Sequence, residues 1–299
     1  MGYGSLEKPA FPRAQVAAYQ AEVVPPDPNH LSNPHPGKIQ VTWIGHSTFL
    51  LQFDGLNILT DPVFARHASP FPTRKTRRRA PLGMSLEELP PIDAVIISHN
   101  HYDHLDAATV RELGNRPRYF VPLKQGDWFR KKGITNVVEL DWWQSAEFGP
   151  VRFHCVPAQH FSSRGLGDRN RALWCGWVME TSRGKIYFVG DSGYFPGFRQ
   201  IGRRLGPLRL AFIPIGAYYP RWGLEKIHIS PTEAVSVHRE VGSQQSIGMH
   251  WGTFKFGDEP MAEPPLYLQK ALKDSLVSPE AFVVFKIGET RSYPWTPSP

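Results

Sequence analysis

At 299 residues, 41% apolar and 20% charged, the chain has the composition of an ordinary folded protein and the length of one large α/β domain. No run approaches the ~18 uninterrupted apolar residues of a spanning helix, and the first residues do not read as a secretory signal. The formal charge of +7 favours anionic partners without choosing among phospholipid headgroups, phosphorylated metabolites and nucleic acid. Only two cysteines, Cys155 and Cys175, are present and both sit in apolar stretches, so no disulfide framework is expected and a cytoplasmic location is, with peripheral membrane attachment compatible with the charge.

Residues 1–38 carry seven prolines and no sustained apolar period, and read as an extended arm on a body formed by residues 39–299. Strand-like stretches follow at 41–44, 49–53 and 56–59, and Asp54-Gly55 is a hairpin turn signal. Residues 74–79 then place five basic side chains in six positions. The plain reading of that run is a solvated loop; the sharper one is contact with phosphate or an anionic membrane. Beyond Pro90, strands are expected at 94–98, 119–121, 137–140, 151–156, 185–189, 210–215 and 246–249. Asp106 is a good N-cap for a helix through Leu113, with Gly114 just past its end. Ser230-Pro231 opens another helix running to about Val241. The plan is mixed α/β, with helices enclosing sheets.

The informative segment is Ile97-Ser-His-Asn-His-Tyr-Asp-His-Leu-Asp106, which puts His99, His101, Asp103 and His104 within six residues directly after a buried strand. In a chain of this composition His-x-His-x-Asp-His has a random expectation on the order of one in a thousand. A tight turn after the strand can aim His99 and His101 at one cation and Asp103 and His104 at a second. Three other apolar strands are followed by residues of the same kind, namely His160, Asp191 and His250. Binding sites in α/β folds gather outside the carboxyl ends of strands, so the shared placement points to one shared site. Imidazole and carboxylate without thiolate suits two zinc ions, and iron or manganese would also accept the set. Asp191 could bridge them, and Asp61, after another strand, reads either as a carboxylate that orients a ligating imidazole or as a plain Asp-Pro turn.

These motifs resemble the metallo-β-lactamase superfamily, and more narrowly the N-acylphosphatidylethanolamine-hydrolysing phospholipase D family. The narrower likeness rests on Glu88-Leu-Pro-Pro-Ile-Asp-Ala-Val95, Glu139-Leu-Asp-Trp-Trp143, Gly190-Asp-Ser-Gly-Tyr194, Ile213-Pro-Ile-Gly-Ala-Tyr218, Pro220-Arg-Trp222 and His250-Trp-Gly-Thr-Phe254. The resemblance implies an αββα sandwich, a homodimer, and a first metal on His99, His101 and His160. It implies a second metal on Asp103, His104 and His250, with Asp191 between the two. His228, in Lys226-Ile-His-Ile-Ser230, sits where members of this family place a histidine near the substrate phosphate.

The implied reaction is hydrolysis of a phospholipid at a membrane surface to phosphatidic acid and an N-acylethanolamine, by a hydroxide shared between the metals. Asp191, His228 and Asp103 are the expected catalytic residues. Tyr102, Tyr194, Tyr218, Tyr219, Trp222, Trp251 and Phe254 are candidates to line an acyl channel or to pack in the core and rim. A lactonase or phosphoesterase acting on a soluble phosphorylated sugar would share the metal ligands and the Trp43-Ile-Gly-His-Ser47 segment. Nucleic acid is not the expected partner, because no added binding module accompanies the basic excess.

Overall fold

Most strands are apolar on both faces, and the architecture explains why. The computed structural model describes residues 10–12, 16 and 22–296. One sheet is built from β1 (Lys38–Gly45), β2 (Thr48–Phe53), β3 (Leu56–Thr60), β4 (Ala94–Ile96), β5 (Arg118–Pro122) and β6 (Val137–Leu140). The second takes β7 (Ser145–Phe148), β8 (Val151–Val156), β9 (Gly176–Thr181), β10 (Gly184–Phe188), β11 (Leu208–Pro214), β12 (Ser243–Met249) and β13 (Phe282–Val283), after which β14 (Thr290–Pro294) returns to the first. The spatial orders are β14-β1-β2-β3-β4-β5-β6 and β13-β12-β11-β10-β9-β8-β7.

Alternation along each strand sorts side chains between two cores. In β2, Phe49 and Leu51 face the second sheet while Leu50 faces outward; in β5, Phe120 faces inward while Tyr119 and Val121 face outward. The outward set meets Val110 and Leu113 of α2 (Ala107–Leu113) and Phe129 of α3 (Gly126–Arg130). The second sheet is covered by α6 (Pro231–Glu240) and α7 (Glu263–Asp274), through Ala234, Val235, Leu268 and Leu272. With helices outside each sheet, no strand face can be polar throughout, which gives the continuous apolar runs. The layers are helix, sheet, sheet, helix, as the resemblance implied.

The expected helix signals act where they were placed. The Asp106 side chain accepts from the Ala108 amide at 3.0 Å, and Gly114 ends α2. Ser230 and Glu233 form a reciprocal capping box on α6. Helices α1 (Pro28–Ser32), α3, α4 (Gly197–Leu205), α5 (Arg221–Leu224) and α7 were not anticipated, nor were β7, β9, β13 and β14. Pro264-Pro265 reads as a helix break, yet it lies in the first turn of α7, where missing amide hydrogens cost nothing. Of the Pro-rich arm, residues 22–37 are tied to the body by the Val24 amide on the Ile287 carbonyl at 2.8 Å and by buried Leu31. Residues 1–9, 13–15 and 17–21 of that arm lie outside the described residues.

Strand direction places the site. β1 and β3 are each antiparallel to β2, β4 is parallel to β3, β8 and β10 are each antiparallel to β9, and β12 runs parallel to β10 through β11. The carboxyl ends of β1, β3, β4, β8, β10 and β12 therefore emerge along one edge of the sandwich.

Candidate metal centre

Each of those six ends delivers a polar side chain to one point. His46 follows β1, Asp61 follows β3, His99 to His104 follow β4, His160 follows β8, Asp191 follows β10 and His250 follows β12. Three of these residues, His46, Asp61 and His250, adopt positive φ of 57°, 33° and 60°. Strain of this kind persists only where surrounding structure enforces it. The His-rich loop turns tightly because the His104 and Leu105 amides both donate to the His101 carbonyl, at 3.2 and 2.9 Å. Gly190 has φ +68°, and a Cβ there would lie 2.7 Å from Ser98 Cβ, so only glycine lets β10 bring Asp191 this close.

Asp191 Oδ2 is the hub. It lies 3.2 Å from His250 Nε2, 3.3 Å from His104 Nε2, 3.8 Å from His160 Nε2, 3.9 Å from His99 Nε2 and 3.8 Å from His228 Nδ1. Two clusters flank it. In one, His101 Nδ1 is 2.8 Å from His99 Nε2 and 3.3 Å from His160 Nε2. In the other, Asp103 Oδ2 is 3.2 Å from His104 Nε2 and 3.4 Å from His250 Nε2. Bonds of ~2.0–2.1 Å at the tetrahedral angle put ligand atoms ~3.3 Å apart, the spacing that recurs in the second cluster.

The opposite ring nitrogens show that several of these imidazoles are aimed. His104 Nδ1 meets Asp61 Oδ2 at 2.6 Å, which is the orienting contact expected of Asp61. Ser98 Oγ donates to the same carboxylate at 2.5 Å and so receives His99 Nδ1–H at 2.9 Å. His160 Nδ1–H donates to the Ile227 carbonyl at 2.9 Å. For His99 and His160 the outward donation leaves an inward lone pair on Nε2, and His104 can present the same lone pair once a cation displaces its Nε2 proton. His104 Nε2, His250 Nε2, Asp191 Oδ1 and His228 Nδ1 are buried without a hydrogen-bond partner. One such atom costs ~1–3 kcal/mol, so four in one cluster fit a site built for divalent cations and substrate rather than a hydrogen-bonded core.

Charge is divided unevenly. Burial pulls His99 and His160 well below the ordinary imidazole value and lowers His101, so all three are neutral at pH 7. Burial also opposes charging of His104 and His250, but Asp191 and Asp103 outweigh it. His104 is held well above its usual value and His250 is raised to about 9. The same imidazoles overcome desolvation to hold Asp103 and Asp191 well below the carboxylate range. Burial lowers His228 to about 4. Only His101 and Asp103 are half-buried, so the cluster opens to solvent on their side.

A family model described as beta-lactamase superfamily domain matches residues 56–251. The chain belongs to that superfamily. It is 41% identical over 263 residues to N-acyl-phosphatidylethanolamine-hydrolyzing phospholipase D 1 of Caenorhabditis elegans, covering 83% of this chain and 74% of the worm protein. It is 33% identical to the mitochondrial N-acyl-phosphatidylethanolamine-hydrolyzing phospholipase D of Saccharomyces cerevisiae, over 80% of this chain and 54% of the yeast protein. Among solved structures, the isothiocyanate hydrolase from Delia radicum gut bacteria superposes with a TM-score of 0.68 at 20% identity, over 85% of this chain and 99% of that one. The names of these three proteins all describe hydrolysis, and this chain combines their fold with the imidazole and carboxylate clusters of a metal-dependent hydrolase.

Sequence reasoning named all seven proposed ligands and His228, and the structure brings all eight together. It missed the role of His46, whose Nε2 is 3.0 Å from Asp103 Oδ2, although Trp43-Ile-Gly-His-Ser47 also places a histidine after an apolar strand. It missed Arg164, which donates to the Asn100 carbonyl at 2.9 Å and lies 4.0 Å from the Tyr102 ring centroid, bracing the His-rich loop. The aromatic candidates divide. Tyr218 and Trp251 are buried, Trp251 stacking on Trp43 at 5.2 Å, and Phe254 packs edge-on against His46, whereas Trp222 is 87% exposed. In the basic run Arg78 packs over Phe254 and bonds the Val63 carbonyl, while Arg74, Lys75, Arg77 and Arg79 face solvent.

Proposed function

We propose that this chain is a two-metal phosphodiesterase of the phospholipase D type, hydrolysing N-acylphosphatidylethanolamine-like phospholipids to phosphatidic acid and an N-acylethanolamine. The observation that carries the reading is a single carboxylate oxygen, Asp191 Oδ2, within 3.9 Å of imidazoles from both clusters. The lipid substrate is supported by the likeness to the worm enzyme over most of its length. His99, His101 and His160 would hold one ion, and Asp103, His104 and His250 the other, with Asp191 shared. Zinc fits this donor set, as do iron and manganese. Such a pair supplies a lowered water pKa and charge neutralisation on phosphate.

The chain's own groups have separable tasks. Asp103 and Asp191, both held ionised, supply negative charge to the cations and carry no proton for a leaving alkoxide. His228 presents a buried, unpartnered Nδ1 beside Asp191. With its pKa near 4 it is neutral at pH 7, which suits a hydrogen bond to a phosphate oxygen better than acid catalysis. The Arg221 guanidinium fixes that loop by donating to the His228 carbonyl at 3.0 Å and to both Glu233 oxygens at 2.8 and 2.9 Å.

Vesicles of N-acylphosphatidylethanolamine, incubated with metal-analysed protein in ¹⁸O-water, test the proposal. Attack of water at phosphorus places the label in phosphatidic acid and none in the N-acylethanolamine. Inert vesicles combined with turnover of a soluble phosphodiester or lactone would remove the lipid reading and leave the two-metal reading standing.

A further inference from the structure

His46 is buried, and its main chain is fully committed. Its amide donates to Thr253 Oγ1 at 2.8 Å, and its carbonyl accepts from Trp43 Nε1 at 3.0 Å and from the His250 amide at 3.1 Å. The turn between β1 and β2 is thereby locked to the segment that carries His250, with His46 at φ 57°. Its ring then reaches Asp103, where Nε2 lies 3.0 Å from Oδ2. An ionised carboxylate only accepts, so Nε2 carries the proton, and Nδ1 is left as a buried nitrogen without a partner.

We infer that His46 is a positioning residue for the second metal: its Nε2–H fixes the rotation of the Asp103 carboxylate so that Oδ2 faces His104 and His250. An Asp side chain is free to turn about its last bond, a broad two-fold torsion, and Asp103 is on the half-buried, open side of the cluster. Among the described contacts, His46 is the donor from outside the proposed ligand set that holds this carboxylate. A filler role would ask only for a ring of this size, and phenylalanine would serve. The inference rests on the two-metal reading, and its tests separate the two.

The first test uses the unaltered protein. In ¹⁵N-histidine NMR of the zinc-loaded chain, His46 is expected as the Nε2–H tautomer with a slowly exchanging proton. A His46 ring protonated on Nδ1, or lacking a proton on Nε2 because that atom itself binds zinc, overturns the inference. The second test is competitive zinc titration of variants. His46→Phe keeps the ring and should weaken the more weakly held equivalent about 10–100-fold, leaving the first unchanged. His46→Gln, whose amide can still donate to the same carboxylate, should recover most of the loss. Equal affinities in the parent and the Phe variant, or a Gln variant as weak as Phe, overturn the positioning role while the two-metal reading survives. A parent that binds no zinc removes both.

Discussion

The three-imidazole cluster and the carboxylate-bearing cluster share Asp191, yet they stand in opposite protonation states. Burial and mutual repulsion leave His99, His101 and His160 neutral, with lone pairs already bare. Beside Asp103 and Asp191, His104 and His250 instead hold protons where a cation would sit. One cluster can receive a metal without giving anything up, and the other must exchange protons for it. Occupancy of the two positions should therefore differ in affinity and in pH dependence, although the ligand atoms lie within a few ångströms.

The hub is the place to break that contrast. Asp191→Ala removes the atom common to both clusters, and loss of zinc stoichiometry with a fall in kcat/KM of ~10³-fold or more is expected. An Asp191→Ala protein that keeps both ions and full turnover would remove the shared-site reading. His228→Ala should act differently, since the residue touches Asp191 without belonging to either cluster. We expect kcat to fall ~10²-fold with both ions retained, checked by metal analysis alongside steady-state kinetics. Asp61→Asn sharpens the comparison. Asp61 directly holds His104 and, through Ser98, His99, so affinity should fall about 10–100-fold at both positions. A loss confined to one ion would show that the Ser98 relay carries no weight.

Much of this was readable without coordinates. The two-sided apolar strands, the Asp106 and Ser230 caps and the His-x-His-x-Asp-His segment are local signals, and agreement among four strand ends turned them into one site. What was not readable depends on contacts between distant parts of the chain. His46 meets Asp103 across 57 residues and Thr253 across 207, and nothing in its own hairpin announces either partner. The Ile227 carbonyl that sets the His160 tautomer is main chain, and so leaves no trace in residue type. The aromatic residues show the reverse failure. Tyr218 and Trp251 lie beside the site in sequence, but the twist of the chain after each strand sends them into the core, Tyr218 to the Glu263 carboxylate and Trp251 onto Trp43.

The smallest expected effect tests the protonation contrast itself. In the metal-free protein His250 has a folded pKa of about 9 against an ordinary 6.5, so it binds a proton more tightly folded than unfolded. That contribution is fully present below pH 6.5 and is lost as pH rises through 9, amounting to at most about 3 kcal/mol. His104, raised in the same sense, adds to it. Asp103 and Asp191, whose values are depressed, change nothing in this window because they are ionised in both states above pH 6.5. His99, His101, His160 and His228, lowered on folding, add stability as the unfolded chain loses its protons up to roughly pH 7.5, so urea unfolding midpoints of chelator-treated protein should fall above that pH, toward 9. With zinc bound the ring nitrogens carry no proton to lose, and the decline should vanish. Parallel pH profiles with and without zinc would mean that His104 and His250 do not hold protons at the metal position, and that the two clusters are electrostatically alike.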